Sequence, residues 1–261
     1  MGNVIIPARG VNRRLAAVAR PFRLISTPAA RCVSTEDVMP SDRPPFFGLL
    51  QRRTCLCPTW RGWLMAALIV VPLVVAGLRG LQPFLALNRP APGGVLVIEG
   101  WLPDFAMEAA LAEARRTPYA AIYVTGGPLE QGKPLSVYKT FAELGAATLE
   151  KLGPATPAPI AVPAGDVRRD RTYASAVTLR EWLKAHGGAP AKLNLVSIGA
   201  HARRSRMMFA KAFGPGTEVG VIAVAGRDYD SRHWWRTSQG FRTVTDEFIA
   251  YLYATFVFTA E

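Results

Sequence analysis

Leu193-Asn194-Leu195-Val196-Ser197-Ile198-Gly199-Ala200-His201-Ala202-Arg203-Arg204-Ser205-Arg206 changes character half-way along. Its first half is a short apolar, β-branched run that stops at Gly199, the pattern of a buried strand running out. His201 and three arginines then arrive together, just before the helically spaced apolar residues Met207, Met208, Phe209 and Phe213. A strand that hands an imidazole and a guanidinium to the first turn of a helix builds an anion site. The helix N-terminus offers unpaired N–H groups and the positive end of its dipole, and arginine adds a two-pronged grip. Arg203 and Arg206 read as a solvated helix face, whereas His201 and Arg204 read as site residues.

Working outward, four more apolar runs have the length of strands: residues 95–98, 120–124, 159–162 and 219–224. Helical spacing fills the intervals, over residues 105–116, 136–152, 172–184, 207–213 and 241–258. In the second of these helices Tyr138, Phe141, Leu144 and Leu149 are the expected buried positions. Strands alternating with helices specify an α/β fold, here a three-layer, Rossmann-like parallel sheet of about five strands with helices on both faces. Glu99, Thr125-Gly126-Gly127, Asp166, His201 and Asp228 each follow directly on a strand. Open parallel sheets bind ligands beyond the carboxyl ends of their strands, so these residues are expected to share one site. Taken singly, Gly126-Gly127 is also an ordinary turn and Asp166 also a helix cap.

The chain has 261 residues, 50% hydrophobic, and a formal charge of +12, but the charge is uneven. Residues 1–62 hold ten arginines and no lysine against Glu36, Asp37 and Asp42. No finger, basic zipper or aromatic-basic RNA motif accompanies them, so nucleic acid is not an expected partner. Topology explains them better. Residues 62–78 are uncharged between Arg61 and Arg79, and Leu, Ile, Val and Ala fill their centre. Such a run predicts one transmembrane helix over residues 60–81, with Trp60 and Trp63 at an interface and arginine marking the cytoplasmic side. Residues 1–59 then read as a disordered, Arg-rich cytoplasmic segment, 82–94 as a linker and 95–258 as an extracytoplasmic α/β domain. A cleavable signal peptide is the rival, but the leader would be far longer than usual. Cys32, Cys55 and Cys57 all precede the apolar run, which leaves no thiol chemistry or disulfide for the domain beyond it.

Residues 93–258 resemble the SanA/YdcF/ElyC family of bacterial envelope-associated proteins. The likeness rests on the first strand ending near Glu99-Gly100, on Thr125-Gly126-Gly127, on Asp170-Arg171-Thr172 opening a helix, and on Ser197 to Arg204 with its His201-x-x-Arg204 pattern. Glu247 sits where the family usually carries a glutamate. The chain departs from the family at Glu99, often glycine there, and at Tyr173-Ala174-Ser175, which lacks the usual acid and asparagine. The Ser-Glu pair often found after the glycines is only Ser136-Val137 here. The resemblance implies envelope biogenesis around peptidoglycan, surface polysaccharide or their lipid carriers, at the plasma (inner) membrane.

Two functions follow as expectations. The first is a hydrolase or transferase acting on an anionic, phosphate-containing envelope precursor, lipid-linked or nucleotide-linked. Arg204 and Arg171 would clamp phosphate, Thr125, Gly126, Gly127 and Thr172 would line its seat, and His201 would move a proton with Glu99 or Asp166 as orienting group or water activator. The second is a non-catalytic module for a nucleotide-like or S-adenosylmethionine-like ligand. No Gly-x-Ser-x-Gly elbow and no Gly-x-Gly-x-x-Gly loop is present, which disfavours a serine hydrolase and a dinucleotide cofactor. One histidine with scattered acids is no recognisable metal-ligand set. Finally, Trp234 and Trp235, flanked by Arg232, His233 and Arg236, read as one aromatic wedge against the sheet and one ring free for the pocket or for lipid headgroups.

Overall fold

The computed structural model describes residues 50–52 and 56–260. Most of the 1–59 segment, with Cys32 and Cys55, therefore lies outside the described residues. Within it, Leu50–Arg52 (β1) and Leu56–Pro58 (β2) pair antiparallel. The chain divides into two compact units, Met1–Leu68 and Ile69–Glu261.

Helix α1, Trp60–Leu85, runs unbroken past Pro72 and Pro83. It is long and apolar enough to cross a membrane, and none of its apolar window is buried. Its last turns are different: Gln82 and Leu85 are buried. The helix thus continues beyond residue 81 into the expected linker, because its end is packed against the α/β domain.

Five strands form one parallel sheet in the order β5-β4-β3-β6-β7: β3 is Val95–Glu99, β4 Ile122–Gly126, β5 Pro159–Pro163, β6 Lys192–Ile198 and β7 Glu218–Val224. Every residue of β3 and β4 is buried, as unbroken apolar runs predict for strands covered on both faces. β5 lies at an edge, the position that tolerates Pro159 and Pro163. Between strands run α2 (Asp104–Arg116), α3 (Phe141–Leu152), α4 (Arg171–Ala185) and α5 (Ala202–Phe213), and α6 (Ser238–Phe256) closes the chain.

Successive strand residues point to opposite faces, and the core divides accordingly. Leu96, Ile98, Ile122, Val124 and Val196 join α2 and α3 through Met107, Leu111 and Leu149. Val97, Tyr123, Leu193, Leu195 and Val219 join α4 and α5 through Leu179, Leu183 and Phe209. One polar residue interrupts the first set. Buried Asn194 donates to Ala91 O and Gly93 O and accepts from Ala91 N–H at 2.7 Å, which ties the chain entering the sheet to a central strand.

Two helices start elsewhere than expected. α3 begins at Phe141, not residue 136, because Thr140 and Glu143 form a reciprocal capping box that fixes the start. Tyr138 lies before the helix and is exposed, Phe141 and Leu144 are half-buried, and only Leu149 of the four is fully buried. α5 begins at Ala202, not residue 207, following a 3-10 turn at Gly199–His201, with Gly199 at φ +45°. The arginine run therefore makes up the helix's first turn and a half.

Candidate functional site

Strand order reverses between β3 and β6, and their carboxyl ends supply Glu99 and, through the 3-10 turn, His201. A cavity of about 730 Å³ opens there. All nine expected site residues line it: Glu99, Thr125, Gly126, Gly127, Asp166, Arg171, Thr172, His201 and Arg204. Asp228, the fifth strand-end group, does not; it lies exposed in the loop after β7.

At the inner end the charges pair. Glu99 is buried and accepts from Ser197 Oγ at 2.5 Å and from Ser205 Oγ at 2.9 Å. His201 stands between two carboxylates, with Nε2 3.6 Å from Glu99 Oε1 and Nδ1 2.8 Å from Glu247 Oε1. Arg204 grips the same Glu247 with Nε on Oε2 at 2.9 Å and Nη2 on Oε1 at 3.1 Å. Nη2 also lies 3.0 Å from His201 Nδ1, an approach of two donors that share one acceptor oxygen. Two acids and two bases thus close a compensated array, the arrangement that a buried charge requires.

Burial disfavours the charged imidazole, but the Glu99 charge and the Glu247 hydrogen bond outweigh it and carry His201 up to about 9. Burial likewise pushes the Glu247 carboxyl up, yet the hydrogen bond and charge of His201, then those of Arg204, hold it at about 2. His201 is accordingly an imidazolium at neutral pH. Its Nε2 is the one buried side-chain polar atom, among the described residues, that lacks a hydrogen-bond partner. Trp101, 40% exposed, sets its ring edge-on to the imidazole with centroids 5.0 Å apart.

The glycine pair divides in function. A Cβ on Gly126 would stand 2.7 Å from Phe141 Cβ, so this glycine lets α3 cross the strand ends. A Cβ on Gly127 would meet only Gly165 O, at 3.6 Å, which leaves its backbone open to the cavity. Thr125 Oγ1 reaches Ser175 O at 3.4 Å and so helps hold α4.

Two helix N-termini border the cavity. That of α3 is closed by its capping box, whereas Asp170, the residue before α4, makes no side-chain cap bond. Asp170 sits at φ +53°, the one non-glycine residue in the left-handed region among those described, a conformation costing roughly 1–3 kcal/mol. The first amides of α4 are thus left without a side-chain acceptor beside Arg171, which pairs across the mouth with Glu130. Arg168, Asp166 and Asp170 complete an exposed rim of mixed charge.

Three expectations change. Arg203 is not solvated: its guanidinium lies 3.9 Å over the Phe84 ring and donates to Phe84 O. Arg206 donates to Val219 O at 2.7 Å. Trp234 is a buried wedge, but against α1 and α6 rather than the sheet. Glu247, Ser197 and Ser205 are site groups that the strand-end pattern missed. Of these Glu247 and Ser197 had a signal, their places in the resemblance. Among the described residues no cluster of three or more His, Cys, Asp or Glu side chains is arranged to hold a metal. Comparison with protein-family models, with curated proteins and with solved structures finds no match for this chain.

Proposed function

We propose that this chain is a membrane-anchored envelope-biogenesis protein of SanA/YdcF/ElyC type that acts on a phosphorylated, sugar-containing precursor, lipid-linked or nucleotide-linked. In this reading α1 spans the plasma membrane, residues before it are cytoplasmic, and the Rossmann-like three-layer domain lies outside. The observation that carries the reading is His201, held between Glu99 and Glu247 at the switch point, with no hydrogen bond at Nε2, on a cavity that an uncapped helix N-terminus also borders.

The substrate phosphate binds the first amides of α4, the Gly127 backbone and the guanidinium groups of Arg168 and Arg171. The carboxylates of Asp170 and Glu130 accept sugar hydroxyls, which gives the mixed rim a purpose. Asp166 takes a proton from water as its oxygen attacks phosphorus. The phosphorus–oxygen bond to the leaving group breaks, and His201 passes its Nε2 proton to that leaving oxygen. Glu99, fixed by two serines, and Glu247 keep the imidazole charged and oriented. Arg204 acts through Glu247 rather than on phosphate, since its fork is occupied.

That same full pairing favours a second reading, a binding module without turnover for a nucleotide-like or S-adenosylmethionine-like ligand. Full-length protein assayed against lipid-linked phosphates and sugar nucleotides separates the two. Product release that disappears in His201→Gln, with binding retained, supports the enzyme. Saturable binding with no product from either protein supports the module. Topology is tested by a reporter active only after export and fused after Glu261, for which activity is expected and cytoplasmic fluorescence from a folded reporter would refute the orientation.

A further inference from the structure

We infer that the loop before α6 together with that helix's first turn, residues 230–242, is a docking surface for the anionic headgroups of the membrane that α1 crosses. The inference rests on the proposal that α1 spans the bilayer and adds a second contact, made by the domain itself.

The placement follows from one hydrogen bond. Trp234 Nε1 donates to Leu78 O at 2.8 Å, so this loop is fastened to α1 next to Arg79. Arg61 and Arg79 bracket the uncharged stretch of α1; at about 1.5 Å per residue they stand about 27 Å apart, close to the ~30 Å of a bilayer's hydrocarbon. Leu78 therefore marks the hydrocarbon edge, and what is fastened there enters a headgroup layer roughly 5–7 Å deep. Buried Trp234 carries Phe241 at 6.0 Å between ring centroids and Trp235 at 5.8 Å. Phe241, in the first turn of α6 beside that buried tryptophan, remains 52% exposed. Nothing in the domain covers it.

Charge selects the occupant. Arg232, Arg236 and Arg242 are exposed in the same short segment. Of the nearby acids, Asp230 is engaged by His233 Nδ1 at 2.7 Å. Asp228 and Asp246 are exposed and reduce the positive excess without cancelling it, since Arg227 precedes Asp228 and Arg79 follows Leu78, to which Trp234 is fastened. Aromatic rings with arginines at the end of an apolar helix suit the interface of a bilayer, and each arginine near an anionic leaflet contributes about 1 kcal/mol.

The test uses the full chain, its three cysteines replaced by serine, in lipid nanodiscs of phosphatidylcholine alone or with phosphatidylglycerol. Single spin labels are placed by Phe241→Cys, by Ser238→Cys as a second site at the start of α6, and by Val71→Cys in α1. Accessibility to a water-soluble nickel complex is then read. The label at 71 is expected to be shielded in both discs, and the labels at 241 and 238 only in anionic discs. Arg232→Glu with Arg236→Glu should return the loop labels to their neutral-disc accessibility, since about 1 kcal/mol per arginine is roughly fivefold in occupancy. A shielded label at 71 with loop labels equally accessible in both discs would overturn the docking surface and leave the anchor standing. A label at 71 open to nickel would overturn the anchor, and the docking with it.

Discussion

His201 Nδ1 lies 2.8 Å from Glu247 Oε1 across 46 residues of sequence, and each group displaces the other's titration. His201 is raised from 6.5 to about 9, so its contribution to stability is complete below pH 6.5 and disappears as pH rises through about 9. Glu247 is lowered from 4.5 to about 2, so its contribution is complete above pH 4.5 and disappears as pH falls through about 2. The two shifts share the His201–Glu247 contact and are not added; the Glu99 charge contributes to the first and Arg204 to the second. Melting temperature should therefore be highest between pH 4.5 and 6.5 and fall on either side. A flat profile from pH 6.5 to 9.5 would show that the imidazolium is not held as described.

Gly126 and Gly127 should part company on substitution. Gly126→Ala drives a methyl to within 2.7 Å of Phe141 Cβ and should cost roughly 1–3 kcal/mol by overpacking. Gly127→Ala has room, should melt within about 0.5 kcal/mol of the parent, and should weaken ligand binding by blocking the backbone. Equal melting temperatures for the two variants would remove the distinction between a packing glycine and a site glycine.

The sheet was readable because each strand is an unbroken apolar run, and the cavity because parallel strands deliver their terminal residues to one edge. Glu99 and Asp166 needed no more than that rule. Glu247 was beyond it: periodicity on α6 cannot say which polar position faces inward from 46 residues away. Arg203 failed for the same reason, since its partner Phe84 lies 119 residues earlier and no local pattern links them. The α3 start was a different kind of miss. Thr140 and Glu143 spell a capping box in plain sequence, and the apolar spacing upstream at Tyr138 obscured it.

Glu99 depends on two serines that look like ordinary helix and strand residues. Ser205→Ala removes the donor to Oε1 and leaves a buried carboxylate oxygen short of a bond, a loss of about 1.5–3 kcal/mol. Ser205→Thr retains a hydroxyl but adds a methyl at a fully buried position, and should recover only part of that. If Ser205→Ala melts like the parent, Glu99 is not held by this bond and its orienting role in the site loses support.

Arg203 and Arg204 are neighbours whose side chains serve different partners. Arg204→Ala breaks a largely buried bidentate pair and leaves the Glu247 carboxylate to His201 alone, which should cost about 1.5–3 kcal/mol. The same change removes a cation from Glu247's surroundings, so the carboxylate should titrate above its present value of about 2. Arg204→Lys keeps the charge but cannot reproduce the planar fork, and should recover only part of the stability. Arg203→Ala loses the stack on Phe84, about 0.5–2 kcal/mol, and should leave binding in the cavity unchanged because its guanidinium faces the end of α1. The expected signature is thus a larger stability loss with altered acid titration for Arg204, against a smaller loss with normal binding for Arg203. Equal losses of stability and of binding from the two alanine variants would mean that the helix start acts as one basic face, and the division of labour read from the contacts would be wrong.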